Sequence, residues 1–356
     1  MGASKPSNLP KNLPQRLLKW YDAHARDLPW RVRGGGIPDP YAVWLSEIML
    51  QQTRVAAVEP YYQKFLNRWP SLESLANASL DDVLAMWAGL GYYTRARNLH
   101  ECAREVQKNH GGKFPRTYKE LLALPGIGPY SAAAISTIAF GARENVVDGN
   151  VLRVMARLHG IRTPLPGAKK ELGELAALMV PPRRAGDYAQ ALMDLGATVC
   201  VPRKPGCTAC PWKRDCVAFA RGEANLLPKR SAKPVRALRS GAVFWAQRRD
   251  GSVLLRRREA RGLLGGMLEF PGSEWRLGEQ AREEDWLAEA PFRVRWQRLA
   301  GEVSHGFTHF RLRLVVYAAI VSARQGRWVD IGALEAEALP SVMRKVARHV
   351  ERNWNR

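Results

Sequence analysis

Glu47 is a carboxyl side chain that interrupts an apolar run extending from Val43 to Leu50. Helical spacing places it on the face of Val43 and Leu50, so a packed helix would surround it with hydrocarbon. Such surroundings raise the pKa of a carboxyl and let it keep a proton near neutral pH, as a general acid requires. The alternative is a glutamate at the helix edge that reaches solvent. The pattern alone leaves both interpretations open.

A second carboxyl, Asp148, begins the sequence Asp148-Gly149-Asn150 and precedes an amphipathic stretch that contains Val151 and Leu158. The simplest interpretation is a helix N-cap, because a carboxylate accepts hydrogen bonds from the free N–H groups of the first turn. The same position also allows a carboxylate at the mouth of a basic groove to face a sugar that becomes cationic as its base departs.

The run Leu-Pro-Gly-Ile-Gly-Pro, residues 124–129, separates two helical stretches, one beginning at Thr117 and the other at Pro129. Gly126 and Gly128 let the backbone approach a ligand closely, and the following helix presents unpaired N–H groups. Together they predict a site for a phosphate oxygen, although an ordinary turn has the same composition.

Four of the five cysteines occur in one short segment with the spacing C-x6-C-x2-C-x5-C, namely Cys200, Cys207, Cys210 and Cys216. A reducing compartment disfavours structural disulfides, so this density of thiols indicates a metal site. Zinc fingers usually show two close pairs separated by a longer arm, whereas an iron–sulfur cluster needs four soft ligands around a compact loop. Spacing favours the cluster and leaves zinc open.

The charge of the chain predicts a polyanionic partner. Lys and Arg number 55 against 33 Asp and Glu, which gives a formal net charge of +22. Nucleic acid and an acidic membrane surface are the two partners that such an excess favours. No apolar run approaches the roughly 20 residues of a membrane span, and the N-terminal residues lack the pattern of a signal peptide. We therefore expect an intracellular, soluble protein that binds nucleic acid and no membrane.

The elements that must position these residues fall into two domains. Residues 1–226 read as helices joined by short turns, residues 227–240 as a basic, proline-containing linker, and residues 241–356 as an α+β domain. In the second domain we predict a hairpin over 242–255, a strand over 310–320 and a helix over 331–349.

Three helix starts have clear capping signals. Asp39-Pro40 precedes a predicted helix over residues 41–55, while Ser79 with Asp82 and Thr117 with Glu120 form capping pairs.

These motifs together resemble those of the MutY-type adenine DNA glycosylases, which belong to the endonuclease III and helix-hairpin-helix superfamily. The similar segments are the run from Trp44 to Thr53, the glycine-proline loop followed by Asp148, and the cysteine spacing. The resemblance implies an all-α helix-hairpin-helix glycosylase domain over 1–226 with a 4Fe–4S cluster in the loop 200–216. The four cysteines would bind that cluster, and the loop would contact DNA phosphates, as would Gly126 and Gly128.

The resemblance also implies roles for the catalytic residues. Glu47 would protonate N7 of adenine, and Asp148 would stabilise the oxocarbenium ion or trap it covalently. Asn150 and Tyr130 would support Asp148 and the sugar region. Bifunctional relatives carry a Schiff-base lysine at the position of Tyr130, so a phenol there implies base excision by hydrolysis without strand cleavage.

Further positions correspond to substrate contacts in the family. Gln52 and Tyr92 correspond to residues that wedge into the base stack. Four positions correspond to the adenine pocket of the family, namely Arg26, Trp30, Arg31 and Asp194. At the position of Asp194, some relatives carry glutamate.

The second domain resembles the Nudix-like C-terminal domain of the same enzymes, in particular over residues 265–272. The acidic spacing of a Nudix catalytic box is absent around Arg282-Glu283-Glu284, so we expect a non-catalytic domain. The sequence Phe307-Thr308-His309 corresponds to the loop that probes 8-oxoguanine, with Thr308 where many relatives carry serine.

The resulting hypothesis is a monomeric, monofunctional glycosylase that excises adenine opposite 8-oxoguanine, and secondarily opposite guanine, in double-stranded DNA. In a bacterium it would be cytoplasmic or associated with the nucleoid. One alternative is a relative that removes mismatched thymine or an oxidised pyrimidine, against which Glu47 and the second domain argue. Another is a non-enzymatic DNA-binding protein, which would need neither Glu47 nor Asp148.

Overall fold

The computed structural model describes residues 9–32, 36–231, 236–259, 262–278 and 282–354. The chain divides into two compact units. The first unit comprises residues 1–77 and 101–233, and the second comprises residues 78–100 and 234–356.

The helices of the described residues, in chain order, are α1 (Leu13–His24), α2 (Pro40–Leu50), α3 (Val55–Arg68), α4 (Leu72–Ala76), α5 (Leu80–Trp87), α6 (Thr94–Asn109), α7 (Tyr118–Leu122), α8 (Pro129–Phe140), α9 (Gly149–His159), α10 (Lys169–Ala177), α11 (Ala185–Asp194), α12 (Val217–Ala220), α13 (Glu283–Leu287) and α14 (Ser341–Asn353). The strands are β1 (Ala237–Gln247), β2 (Ser252–Arg257), β3 (Leu268–Glu269), β4 (Arg276–Leu277), β5 (Gln297–Arg298), β6 (Val303–Gly306), β7 (Phe310–Ile320) and β8 (Arg327–Asp330).

The predicted capping signals are confirmed. The Asp39 side chain accepts a hydrogen bond from the Tyr41 backbone N–H, and Thr117 forms a reciprocal capping box with Glu120. The predicted extent of α2 was wrong, because the helix ends at Leu50 instead of residue 55. Gln52 has a left-handed backbone with φ of 58°, which turns the chain before α3 begins.

A large core cluster of the first unit is formed by residues of α1, α9, α10 and α11. Leu17, Met155 and Tyr188 are among its buried residues, and Trp212 from the cysteine loop is part of the same cluster. The Trp212 indole N–H donates to the Leu13 carbonyl at 2.9 Å. The loop that carries the cysteines is therefore anchored in this core cluster.

Helices α8 and α11 pack closely at one glycine. A Cβ atom on Gly186 would lie 2.9 Å from the Thr137 carbonyl oxygen and 3.3 Å from the Ile138 Cα atom. Backbone atoms cannot move aside as a flexible side chain can, so this packing requires glycine.

The second unit contains a mixed sheet in which β3, β2, β1, β7 and β5 are neighbours in that order. The long strands β1 and β7 run parallel, from Ala237 paired with Phe310 to Gln247 paired with Ile320. The predicted hairpin is confirmed, since β1 and β2 are antiparallel with Gln247 opposite Val253.

Side-chain alternation gives this sheet two buried faces. Val243 and Trp245 belong to the larger core, into which α14 packs, whereas Ala242 and Phe244 pack on the opposite face. The predicted helix over 331–349 was wrong in its start, because α14 begins at Ser341. Pro340 precedes it and restricts the preceding residue to extended backbone.

The predicted fold class is confirmed: a helical domain is followed by an α+β domain with a mixed sheet. Residues 232–235 of the predicted linker lie outside the described residues. Across the described ranges, no helix has both the length and the apolar character that a membrane crossing requires.

We predict that Gly186→Ala lowers the free energy of unfolding by about 1–3 kcal/mol, because the new methyl group overlaps backbone atoms of α8. Gly173→Ala in α10 is the matched control, since a Cβ there would have no neighbour within 4 Å. It should stabilise the protein by about 0.5–1 kcal/mol through helix propensity. Urea denaturation followed by tryptophan fluorescence measures both, and equal effects of the two substitutions would contradict the packing argument.

Candidate active site

A cavity of about 1010 Å3 in the first unit brings together most of the predicted catalytic residues. Its lining includes eight of the residues that sequence analysis singled out, contributed by α2, α8, the start of α9 and the connecting loops: Arg26, Glu47, Gln52, Gly126, Gly128, Tyr130, Asp148 and Asn150. A cavity of this size accommodates a nucleotide.

Glu47 is only 6% exposed, so the interpretation of a solvent-reaching glutamate was wrong. Burial is the main cause that raises its pKa from 4.5 to about 7; a hydrogen bond with Tyr130 and the charge of Arg31 oppose the rise, and the charge of Asp148 adds to it. The Oε2 atom of Glu47 is buried without a hydrogen-bond partner. The cavity therefore contains a carboxyl that can be protonated near neutral pH and has one oxygen available to a ligand.

Asp148 serves as the N-cap of α9 and lines the cavity at the same time. Its Oδ1 atom accepts from the Val151 backbone N–H at 2.7 Å, and its Oδ2 atom accepts from the Asn150 side-chain amide at 2.7 Å. These hydrogen bonds hold the carboxylate in one orientation at the cavity wall.

Asn150 is itself held by α9 and the segment after α11. The Arg153 guanidinium donates to the Asn150 side-chain oxygen at 2.8 Å, to the Gly196 carbonyl at 2.6 Å and to the Cys200 carbonyl at 2.7 Å. A Cβ atom on Gly196 would lie 2.5 Å from the Cβ atom of Asn150. The position of the amide beside Asp148 thus depends on close packing as well as on hydrogen bonds.

Asp194, at the end of α11, is fully buried and does not line the cavity. Its carboxylate forms ion pairs with Arg26 at 2.5 Å and with Arg31 at 2.6 Å. Burial by itself would raise the pKa of Asp194, but the hydrogen bonds and charges of the two arginines outweigh it and hold the pKa below its usual range. Trp30 and Arg31 line a separate cavity of about 420 Å3 in the same unit.

The predicted phosphate loop has the expected backbone. Gly126 has a left-handed φ of 72°, and Gly128 is the N-cap of α8, where it contributes no capping side chain. A Cβ atom on Gly128 would have no neighbour within 4 Å, so the approach to the first turn of α8 is open. The N–H groups of that turn can face a phosphate oxygen.

The two residues predicted to wedge into a base stack share an unusual backbone. Gln52 in the first unit and Tyr92 in the second have φ values of 58° and 50°. Non-glycine residues rarely adopt this left-handed conformation, and such residues concentrate at binding sites. The Tyr92 side chain is 46% exposed.

The second unit contains a cavity of about 380 Å3 lined by the other predicted substrate contacts, namely Tyr92, Phe307, Thr308 and His309. The hydroxyl groups of Tyr92 and Thr308 are hydrogen-bonded at 2.9 Å. Phe307 stacks on Phe310 with ring centroids 4.7 Å apart. This cavity presents aromatic faces and a hydrogen-bonded pair of hydroxyl groups.

The cysteine loop is fixed by Arg157, which is only 2% exposed. Its guanidinium donates to the carbonyl oxygens of Leu227, Cys200, Val201 and Pro202, and to the Cys200 sulfur at 3.2 Å. Burial, together with the other three thiols, raises the pKa of Cys210 to about 12. In the part of the chain that the structure describes, no three His, Cys or acidic side chains form a group spaced for a metal ion.

Sequence analysis did not single out Arg153 or Arg157. Both lie on the buried side of α9, four residues apart, and they occupy one face of the helix together with apolar residues. A charged pair at that spacing in an otherwise apolar stretch is the signal that could have identified them.

Two family models match the chain. Residues 45–178 match the HhH-GPD superfamily base excision DNA repair protein model, and residues 242–349 match the NUDIX domain model. The adenine DNA glycosylase of Homo sapiens is 37% identical over 396 residues, which cover 93% of this chain and 72% of the human protein. The chain belongs to the adenine DNA glycosylase family. It is a glycosylase that hydrolyses N-glycosyl bonds in the base-excision repair of adenine mispairs.

Other members and solved structures agree with this assignment. The adenine DNA glycosylase of Buchnera aphidicola subsp. Acyrthosiphon pisum is 33% identical, with 84% of each chain covered. A thermostable thymine-DNA glycosylase structure is 32% identical with a TM-score of 0.53, and covers 59% of this chain and 96% of its own. An endonuclease III–DNA complex, 20% identical with a TM-score of 0.51, covers 60% of this chain and 98% of its own and shows the same fold.

We predict that the difference in free energy of unfolding between the wild type and the Glu47→Gln variant depends on pH. Because the folded pKa of Glu47, about 7, exceeds its ordinary value of 4.5, the wild type loses stability as pH rises through that window. Between pH values of about 4.5 and 7, the free energy of unfolding of the wild type should fall by about 3 kcal/mol relative to that of Glu47→Gln. Urea denaturation at several pH values measures it. A difference between wild type and Glu47→Gln that stays constant over this pH range would contradict the raised pKa.

Proposed function

We propose that this glycosylase removes adenine paired with 8-oxoguanine, and secondarily adenine paired with guanine, from double-stranded DNA without cutting the strand. The observation that carries the proposal is the buried carboxyl of Glu47, with its unpartnered Oε2 atom, in the cavity that also contains Asp148. A purine needs a proton on its ring to depart easily, and the sugar left behind needs a negative charge.

Glu47 supplies the proton. In its protonated form the carboxyl can donate to N7 of an adenine that has been extruded from the duplex into the cavity, which costs a few kcal/mol of stacking. The raised pKa of Glu47, about 7, keeps a substantial fraction of the side chain protonated at neutral pH. Electrons of the glycosidic bond then move to a ring that is already cationic, so the base departs as a neutral molecule.

Asp148 supplies the negative charge. Hydrogen bonds from Asn150 and from the Val151 backbone hold its carboxylate at the cavity wall. A fixed carboxylate stabilises the oxocarbenium ion that forms as the base departs, and it can also collapse onto the anomeric carbon before water completes hydrolysis.

Tyr130 is the reason to expect no strand cleavage. The phenol is hydrogen-bonded to Glu47, and burial with the charges of Glu47 and Asp148 raises its pKa well above the ordinary value. Strand cleavage by a glycosylase requires an amine that forms a Schiff base with the sugar, and the described residues that line this cavity include no lysine. Hydrolysis therefore leaves an intact strand with an abasic site.

Recognition of the opposite base is the proposed role of the second unit. Phe307, Thr308 and His309 line a cavity there together with Tyr92. The hydroxyl of Thr308, which would contact the base, is hydrogen-bonded to Tyr92, whose ring would insert into the base stack. Gln52, in the first unit, would insert into the base stack. The preference for 8-oxoguanine would come from hydrogen bonds to the oxidised base edge.

The remaining contacts would hold the DNA backbone. Gly126 and Gly128 with the first turn of α8 form the phosphate site, and the net charge of +22 provides the long-range attraction. We expect a monomer, because one chain contains every proposed contact, and an intracellular location follows from the substrate.

The proposed cofactor is a 4Fe–4S cluster held by Cys200, Cys207, Cys210 and Cys216. The donor set fits such a group, because the cluster takes one thiolate at each of its four irons and its ligands therefore lie further apart than those of a single metal ion. The charges of the four thiols interact with one another, as expected for side chains around one cluster. Three of the cysteines also pack against the large core cluster of the first unit, so the iron–sulfur cluster would link the loop to the body of the unit. We propose 1–226 as the glycosylase domain, 227–240 as linker and 241–356 as lesion-recognition domain.

The decisive test uses a labelled duplex with adenine opposite 8-oxoguanine, incubated with the protein and then treated with alkali. Wild type should give cleavable product only after alkali, whereas Glu47→Gln and Asp148→Asn should reduce the single-turnover rate by at least about a hundredfold. Glu73→Gln serves as the control that should retain the rate. Strand scission without alkali, product from a duplex with mismatched thymine instead of adenine, or full activity of Glu47→Gln would contradict the proposal.

A second prediction concerns the opposite base. Thr308→Val removes the hydroxyl that pairs with Tyr92 while keeping the side-chain volume, and should lower the preference for 8-oxoguanine over guanine about tenfold. Thr308→Ser keeps the hydroxyl and should retain the preference. Single-turnover rates on the two duplexes provide the measurement. An unchanged ratio in Thr308→Val would exclude the hydroxyl from lesion recognition.

A further inference from the structure

The Asp194 carboxylate has no oxygen left for a base. Its Oδ1 atom accepts from Arg26 Nε at 2.5 Å and from an Arg31 guanidinium nitrogen at 2.8 Å. Its Oδ2 atom accepts from the Arg26 backbone N–H at 3.0 Å and from the other Arg31 nitrogen at 2.6 Å. With four donors and no exposed surface, Asp194 is a structural partner of two arginines instead of a direct contact to adenine.

Arg31 connects this group to the acid. Its side chain is only 6% exposed, and it is held in a bidentate pair with Asp194. The guanidinium carbon also lies 5.8 Å from the centre of the Tyr21 ring. The group formed by Asp194 and its two arginines adjoins the acid, because Arg26 lines the same cavity as Glu47. The charges of Arg31 and Glu47 also interact.

An unpaired cation at that place would oppose general-acid catalysis. A positive charge favours the ionised form of a neighbouring carboxyl, and buried charges are poorly screened. Glu47 would then give up its proton at lower pH, before adenine could receive it. A bidentate carboxylate cancels most of that field while leaving the guanidinium in place.

We propose that Asp194 is a positioning residue that acts on the reaction through Arg31: it holds the buried guanidinium in one place and neutralises its charge, so that Glu47 keeps its proton. This inference depends on the proposed role of Glu47 as the acid. It assigns Asp194 a task that requires a negative charge at this position and no contact with the substrate.

The groups that act electrostatically on Glu47 come from several elements. Arg31 follows α1, Tyr130 is on α8, and Asp148 is the N-cap of α9. Arg26, which also pairs with Asp194, and Arg54 are further cations that line the cavity of Glu47. Asp148 and burial favour the protonated form, whereas Tyr130 and Arg31 favour the carboxylate. Asp194 adds a negative charge to this balance by pairing with Arg31.

The test is the pH dependence of single-turnover excision of adenine opposite 8-oxoguanine. Since the acid must be protonated, the wild-type rate falls as pH rises through the titration of Glu47. Asp194→Asn removes the neutralising charge and should move this alkaline limb to lower pH by at least about one unit. Asp194→Glu, which keeps the charge, should leave the limb within about 0.3 units of wild type.

A double-mutant cycle separates charge from structure. Arg31→Gln removes the cation and should move the limb to higher pH, and the double variant Asp194→Asn/Arg31→Gln should return it to the wild-type position. The limb is independent of the fraction of active protein, so it reports charge even where a variant is less stable. Thermal denaturation verifies folding. If Asp194→Asn does not fold, the shift in Arg31→Gln alone still tests the inference.

The outcomes distinguish this inference from the proposed function. If wild type shows the alkaline limb and Glu47→Gln is inactive, but the limb stays in place in Asp194→Asn and Arg31→Gln, only the role of Asp194 is overturned. A uniform loss of rate at every pH would give Asp194 a purely structural role and also overturn the inference. If Glu47→Gln remains active, the assignment of the acid fails first.

Discussion

The burial of one carboxyl group is the constraint on which the site depends. Water would let Glu47 ionise at its ordinary pKa, and hydrocarbon prevents this. Helix α2 produces that environment by presenting Val43, Trp44 and Ile48 to the interior along with Glu47. Placing an acid inside a helical core costs folding free energy whenever the acid is ionised. A carboxyl group keeps its proton at neutral pH only where its ionised form is destabilised, and the exclusion of solvent has this effect at Glu47.

The second carboxylate is positioned by different means. Asp148 is at the surface of the cavity, where the cap of α9 and Asn150 hold it. The same helix carries Arg153 and Arg157, whose guanidinium groups bind backbone carbonyls of the cysteine loop. One eleven-residue helix therefore has the Asp148 carboxylate at its N-cap and the supports of the loop on its buried side. The two carboxyl groups therefore differ in environment: Glu47 has a buried oxygen without a hydrogen-bond partner, whereas both oxygens of Asp148 accept hydrogen bonds.

Much of the fold could be predicted from local signals. Caps at Asp39 and Thr117, the hairpin after the linker and the strand over 310–320 all follow from short patterns, and the structure confirms them. The end of α2 could not be predicted, because Gln52 turns the chain although no glycine or proline marks the position. The pattern around Glu47 allowed a buried or an edge position, and only packing against the rest of the unit decided between them. The ion pairs of Asp194 join segments 163 and 168 residues apart, beyond what periodicity can reveal.

The left-handed backbone at Gln52 and Tyr92 has an energetic consequence. Glycine would adopt that conformation freely, whereas a residue with a Cβ atom loses roughly 1–2 kcal/mol there. If the shape of the turn were all that mattered, glycine would be the better choice at both sites. An amide and a phenol occupy them instead, so it is the side chains that are needed. The chain accepts a weaker resting state in order to hold two large groups ready at its surface.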